Sequence, residues 1–470
     1  MNKPITGLSW LAIAFLSVSF PGPLPAGAED KPISFYKDVF PIFKRSCNGC
    51  HHPGKLKGQL DLTTYDAFQK GGKHGTAFKA GDPKSSILME EISGTEPSMP
   101  KEGDTLTKEE VALMERWIRE GAKDDTPANA NSFKLAGAPI YVAPPVISAM
   151  AYSPDGKMLA VSGYHEVLLH SADGSNLIAR LIGESPRIES ICFSPDGKKL
   201  AVAGSAPARF GEIQIWDVTT NGLANPTNAL LKSFKLSTDS VYGISFSPEA
   251  DRIAMGCADK TVRIIGASDG KELLRFDNHS DWVFGTTFTT NGKRLLTGSR
   301  DRAMKLIDAS NGQFIDDINK LLEPVLCLSR HPKEDVVVYG GELGTARIYK
   351  ISDNQGRTAA NTDVNLVKEL ERLPGPVHTV AYSPDGNSVA VGGAGSEVHL
   401  HNSKDGKRIA TLKGHEGAIF AVAYHPQTNQ IVTGGFDGKV RIYDSTKGDL
   451  IREFVPVPLN PNSVMQKASK

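Results

Sequence analysis

Apolar and polar positions divide the chain into regimes with different periods. Leu8 to Phe20 is an apolar stretch that Pro21 and Pro23 end. Residues 31–123 follow a helical period: Tyr36 to Lys44 sets Phe40 and Phe43 on an amphipathic segment. Thr107, with Glu110 three residues on, forms a capping box opening a second helix. That helix carries Val111, Leu113, Met114, Trp117 and Ile118 mostly on one side, and Gly121 stops it. Asp124 to Asn131 is a polar linker. From about residue 140 the pattern changes to short β-rich runs separated by Gly, Asp, Asn and Pro.

The β-rich region repeats. Ser153-Pro154-Asp155-Gly156 recurs at Ser194 and Ser383, with weaker copies opening at Ser247, Thr289, His331 and His425. Successive markers lie 41, 53, 42, 42, 52 and 42 residues apart. A period of about 40–45 residues holding four short strands is that of a propeller blade, so the markers predict seven blades. The two long spacings hold inserts, Ala206 to Phe210 with Thr219 to Asn228, and Ser352 to Asn365, expected as surface loops. Aligning the blades puts Cys192 and Cys327 in columns of small residues, which predicts core filler. His170 and His401 fall in the column of Trp216; His399 and His401, i and i+2 on one strand face, could clip a metal if a third ligand joined them.

Charge changes little in this picture. Lys plus Arg and Asp plus Glu number 53 each, which offers no field to attract nucleic acid or an anionic membrane. The N-terminus changes more: Lys3, the apolar stretch and Ala26-Gly27-Ala28 before Glu29 read as a secretory signal. The 13 residues of that stretch fall short of the ~20 a spanning helix needs, and no later segment is long and apolar enough. The mature protein is therefore expected outside the cytoplasm, periplasmic or at the cell surface. The expected parts are a signal peptide (1–28), a helical domain (31–123), a linker (124–139), an all-β propeller (140–455) and a flexible tail (456–470).

The candidate chemistry sits in Cys47-Asn48-Gly49-Cys50-His51. Two thiols three residues apart reach the two vinyl groups of one haem, and the adjacent His is held beneath the iron. A zinc ribbon would need a second Cys pair nearby, and a thioredoxin-type site would need a βαβ setting. Met99, in a loop just before Pro100 and shortly before the second helix, is the expected sixth ligand opposite His51. His52 is adjacent to the proximal ligand, His74 lies in a Gly-rich loop with nothing to hold it, and Met89 reads as helix core.

Two resemblances follow. Residues 34–122 resemble the Planctomycete-type cytochrome c domain through Phe40-Pro41-Ile42-Phe43, the CxxCH run, Gly58-Gln59-Leu60-Asp61-Leu62, Gly71-Gly72, Gly81-Asp82-Pro83, Met99-Pro100 and Trp117-Ile118 with Gly121-Ala122. Gln59 and Lys101 depart from it, standing where a second Gly and a second Pro are usual. Residues 140–455 resemble WD-repeat propellers through Trp216-Asp217, Gly414-His415, Asn278-His279 and the structural Asp301 and Asp437. Together they imply an exported electron carrier with one covalent haem c and no catalytic residues of its own. The propeller is expected to dock a redox or structural partner through Tyr164-His165-Glu166 and Ala206 to Phe210. The alternatives are an oxidoreductase whose propeller feeds electrons to the haem, as in propeller–cytochrome nitrite reductases and quinohaemoprotein dehydrogenases, and a haem-based sensor. Those two precedents use eight blades and dedicated cofactor ligands; here the markers number seven.

Overall fold

Phe35 and Phe43 stand on the first helical segment of a computed structural model. It describes residues 31–51, 57–101, 104–127, 137–207, 209–237, 239–319, 321–351 and 363–460. The signal segment, His52, most of the insert from Ser352 to Asn365 and residues 461–470 lie outside the described residues. The chain divides into two compact units, Met1–Ala130 and Asn131–Lys470.

In the N-terminal unit a π-helical turn, Phe35–Val39, runs into helix α1, Phe40–Ser46. Helices α2 (Tyr65–Lys70), α3 (Ile87–Ile92) and α4 (Lys108–Arg119) follow. Thr64 caps α2, and Thr107 with Glu110 forms the capping box of α4, satisfying backbone donors at each start. Helix α4 buries Met114, Trp117 and Ile118 against an aromatic core. Ring centroids there lie 5.0 Å apart for Phe43 and Phe68, 4.6 Å for Phe68 and Phe78, and 5.3 Å for Phe78 and Trp117. Each such buried ring is worth about 2–3 kcal/mol, so this cluster is the main cohesion of a small unit. Asp125 accepts from the Tyr36 backbone N–H at 2.9 Å, so the start of the expected linker is folded onto this unit.

The C-terminal unit is a seven-bladed β-propeller, each blade a four-stranded antiparallel sheet built from consecutive strands. The marker turns show why they repeat. Ser153 Oγ accepts from Met158 N at 3.0 Å and donates to Asp155 at 2.6 Å, and Ser194 and Ser383 do the same in their blades. Ser247 and Thr289 keep the hydroxyl bond, while at the other two weak copies an imidazole takes over: Nδ1 of His331 accepts from Lys333 and Glu334 N, and that of His425 from Gln427 and Thr428 N. Gly156, Gly197 and Gly386 then adopt φ of 68°, 70° and 82°, where a Cβ would be strained.

Two expectations change. The Ala206 to Phe210 insert is not an irregular loop: Ala206 pairs with Phe210, so two eight-residue strands, Lys199–Ala206 and Phe210–Asp217, extend the hairpin. The Thr219 to Asn228 insert folds as a short helix, Thr220–Leu223, and a 3-10 turn, Pro226–Asn228. Residues 456–460 are also no free tail. Tyr141 bridges Leu459 in parallel, Asn460 N donates to Tyr141 O at 2.8 Å, and the Pro456 carbonyl accepts from His170 Nε2 at 2.9 Å. Because every blade uses its own four strands, this strap across blade 1 (residues 150–182) helps to close the ring.

Candidate functional site

Helix α1 ends by delivering the first thiol. Cys47 N and Asn48 N both donate to Phe43 O, at 2.9 and 2.8 Å. Cys50 N and His51 N then both donate to Cys47 O at 3.1 Å, a tight turn that gathers Cys47, Cys50 and His51. The His51 carbonyl accepts from Leu62 N at 3.0 Å, which fixes the chain on the far side. His51 Nδ1 lies 3.0 Å from the Lys57 carbonyl oxygen. A carbonyl only accepts, so Nδ1 carries the proton and Nε2 keeps its lone pair for a ligand.

Both cysteines are free thiols. Burial pushes the Cys47 thiol up to about 11, against a smaller lowering by Arg45 and a further rise from Cys50. Disulfide oxidoreductases need the opposite shift at the attacking thiol, a thiolate stabilised near or below neutral pH, so Cys47 is not poised for that role.

The loop Gly71 to Gly75 packs against the Gly58 to Leu60 segment that follows the motif. Lys73 N donates to Gly58 O at 2.7 Å and Gly72 pairs with Gly75, so this loop is held, contrary to expectation; His74 at its tip is exposed. A Cβ on Gly72 would lie 2.5 Å from Gly58 O and 3.1 Å from the Leu60 Cβ, which explains the glycine by close approach. Gly72→Ala should therefore push the loop off the Gly58 to Leu60 segment. The expected cost is about 1–3 kcal/mol in the unit's stability, read as a lower thermal midpoint of the helical circular dichroism.

Met99 is half-buried and packs against the same hydrophobic core as Cys47, Leu60 and Leu106. Its N–H donates to the Glu91 carbonyl at 2.9 Å, the peptide bond to Pro100 is cis, and Met89 is buried in the core as its helical spacing implied. The holding groups are backbone carbonyls of Lys57 and Glu91, for which side-chain spacing gives no signal. Asn48 Oδ1, between the two cysteines, is buried without a hydrogen-bond partner. Two thiols, an imidazole with free Nε2 and a half-buried apolar fringe fit a haem.

In the propeller, Cys192, Cys257 and Cys327 have thiols raised by burial, the last two to about 12, as expected of core filler. His279 Nδ1 donates to Asp301 at 2.8 Å with Nε2 2.8 Å from the Thr297 hydroxyl; His415 repeats this with Asp437 and Thr433. Burial would raise Asp301 and Asp437, yet hydrogen bonds from His279, Arg441 and backbone N–H groups override it and hold both at about 2. A carboxylate lowered on folding stabilises fully above its unfolded value of 3.8, and this is lost as pH falls toward 2. The two side chains are 7% and 6% exposed, so each should contribute about 2 kcal/mol. Propeller stability in urea should drop from pH 5 to pH 3, and less steeply in Asp301→Asn.

An axial cavity of about 590 Å³ is lined by first strands, among them Tyr242, Phe284, Leu326, His378 and Phe420 with Arg187 and Glu189. Among the described residues no three of His, Cys, Asp and Glu stand as a ready ligand set.

Comparison with known proteins agrees with this division. Residues 47–103 match the Planctomycete cytochrome C family. Residues 228–265, 270–308 and 406–444 match the WD domain, G-beta repeat. Each match spans the outer strand of one blade and three strands of the next, so the sequence repeat is offset from the blade by one strand. No curated protein matches the chain.

Proposed function

From a chain that joins a segment of the Planctomycete cytochrome C type to a WD-repeat propeller, we propose an exported mono-haem electron carrier whose propeller docks a partner. One haem c is bound covalently through Cys47 and Cys50, with His51 and Met99 on its iron. The observation that carries this reading is the His51 Nδ1 hydrogen bond to Lys57 O, which aims an unprotonated Nε2 beside two free thiols. The haem supplies one-electron chemistry; the chain's own residues hold it, orient the imidazole and exclude water from one side. Export agrees with the N-terminal signal, since haem attachment to CxxCH is an extracytoplasmic process, and no helix among the described residues is long and apolar enough to cross a membrane.

The propeller's part follows from its topology. Turns between second and third strands and connections between blades emerge on one face, so Tyr164, Phe436 and Trp282 share it, all exposed. A face of separated aromatic side chains suits a redox or structural protein partner. Protein made with a haem-attachment system should give a c-type alkaline pyridine haemochrome and a haem stain that survives denaturing gels. A colourless product would overturn the reading.

A further inference from the structure

Helix α3 carries its charge at the wrong end. Glu90 and Glu91 stand in the second half of Ile87–Ile92, and no basic residue balances them in the last turn. Carboxylates are disfavoured beside the free carbonyls of a helix C-terminus. A local rule broken in this way marks a residue kept for another use. Glu90 is exposed to solvent, whereas Glu91 is engaged by the chain that returns toward Met99.

The helix is a fixed post for that engagement. Leu88, Met89 and Ile92 are buried in the core, and Leu88 N donates to Ala77 O at 2.8 Å. At its start the Ser86 hydroxyl donates to Asp82 O at 2.8 Å and accepts from Lys79 N at 2.8 Å. The last carbonyls of a helix have no partner inside it. The Glu91 carbonyl instead accepts from Met99 N at 2.9 Å, with the Ser98 hydroxyl 3.3 Å away. That hydroxyl also donates to the Glu91 carboxylate. One residue thus holds two successive residues of the returning chain, by its backbone and by its side chain.

We propose that Glu91 and Ser98 are positioning residues for the sixth iron ligand. They pin the backbone at Met99 to the end of α3 and so keep its side chain on the half-buried fringe with Cys47, Leu60 and Leu106. The inference rests on the reading that Met99 is that ligand. A clamp of this kind acts through Met99, so its loss is read at the iron while the haem stays attached.

The test uses full-length, haem-loaded protein. Ser98→Ala and Glu91→Ala should each let carbon monoxide bind ferrous haem about 3- to 10-fold faster, the factor one lost hydrogen bond supplies. Both should also weaken the sulfur-to-iron band and lower the midpoint potential, with haem content unchanged. Ser98→Thr restores the hydroxyl, and Glu91→Gln keeps an accepting oxygen, so both should match the unaltered protein. Glu90→Ala removes the neighbouring charge and should move none of these readings. Hydrogen exchange gives a reading free of the iron: the Met99 N–H should exchange faster in Ser98→Ala. Met99→Ala, run alongside, separates two failures. Unchanged carbon monoxide binding in Ser98→Ala and Glu91→Ala, with the band lost in Met99→Ala, would overturn the clamp and leave the ligand standing. A band that survives in Met99→Ala would overturn both.

Discussion

Replacing Cys47 and Cys50 together by alanine is expected to abolish covalent haem, from one per chain to none. Thioether bonds need both sulfurs, and the three cysteines left in the chain, Cys192, Cys257 and Cys327, lie in the propeller unit with thiols raised by burial. The propeller has its own core clusters and should keep its cooperative unfolding, while the N-terminal unit loses the group its half-buried fringe packs against. The measurement is haem stain on a denaturing gel beside the calorimetric trace of the same sample. The single variants should differ in degree only, each retaining at most one thioether and a shifted haemochrome band. A double variant that stays covalently red would remove these cysteines from the site.

Met99→Ala should produce the largest change in the haem's properties without removing it. A thioether on the iron favours the ferrous state, so its loss should lower the midpoint potential by about 0.1 V or more, within the ~0.8 V range that axial ligands set. The weak sulfur-to-iron band at the red edge of the ferric spectrum should vanish, and ferrous protein should begin to bind carbon monoxide. Met89→Ala is the control. Met89 is buried within α3, so its truncation should cost about 2–5 kcal/mol of stability and leave spectrum and potential unchanged. Ready carbon monoxide binding by the unaltered protein would instead favour the sensor or enzyme alternative.

The blade count and the motif were legible in sequence because both repeat or combine rare residues at short range. Ser153, Ser194 and Ser383 each close a turn within five residues, so the same local hydrogen bonds recur wherever the tetrapeptide does. His331 and His425 read as weak copies for the same reason: an imidazole nitrogen replaces the hydroxyl as acceptor. The CxxCH spacing and the capping box of α4 are likewise set within a turn or two of chain.

Contacts that no local repeat or spacing encodes were decided only by the tertiary structure. Sequence could place Met99 in a loop, but its hold on Glu91 O, like that of His51 on Lys57 O, runs through backbone carbonyls, which every residue has. Likewise Gly72 reads as a turn residue until Gly58 O is found 2.5 Å from where its Cβ would stand. The strap of Tyr141 on Leu459 pairs residues more than three hundred positions apart, which no local period encodes. Ala206 to Phe210 looked irregular because its sequence departs from the repeat, yet strand pairing depends on the partner backbone, and Ala206 finds Phe210 across the turn. Sequence by itself determined what is periodic or local; tertiary structure alone decided which backbone groups meet, because these are chemically identical along the chain and only packing selects among them.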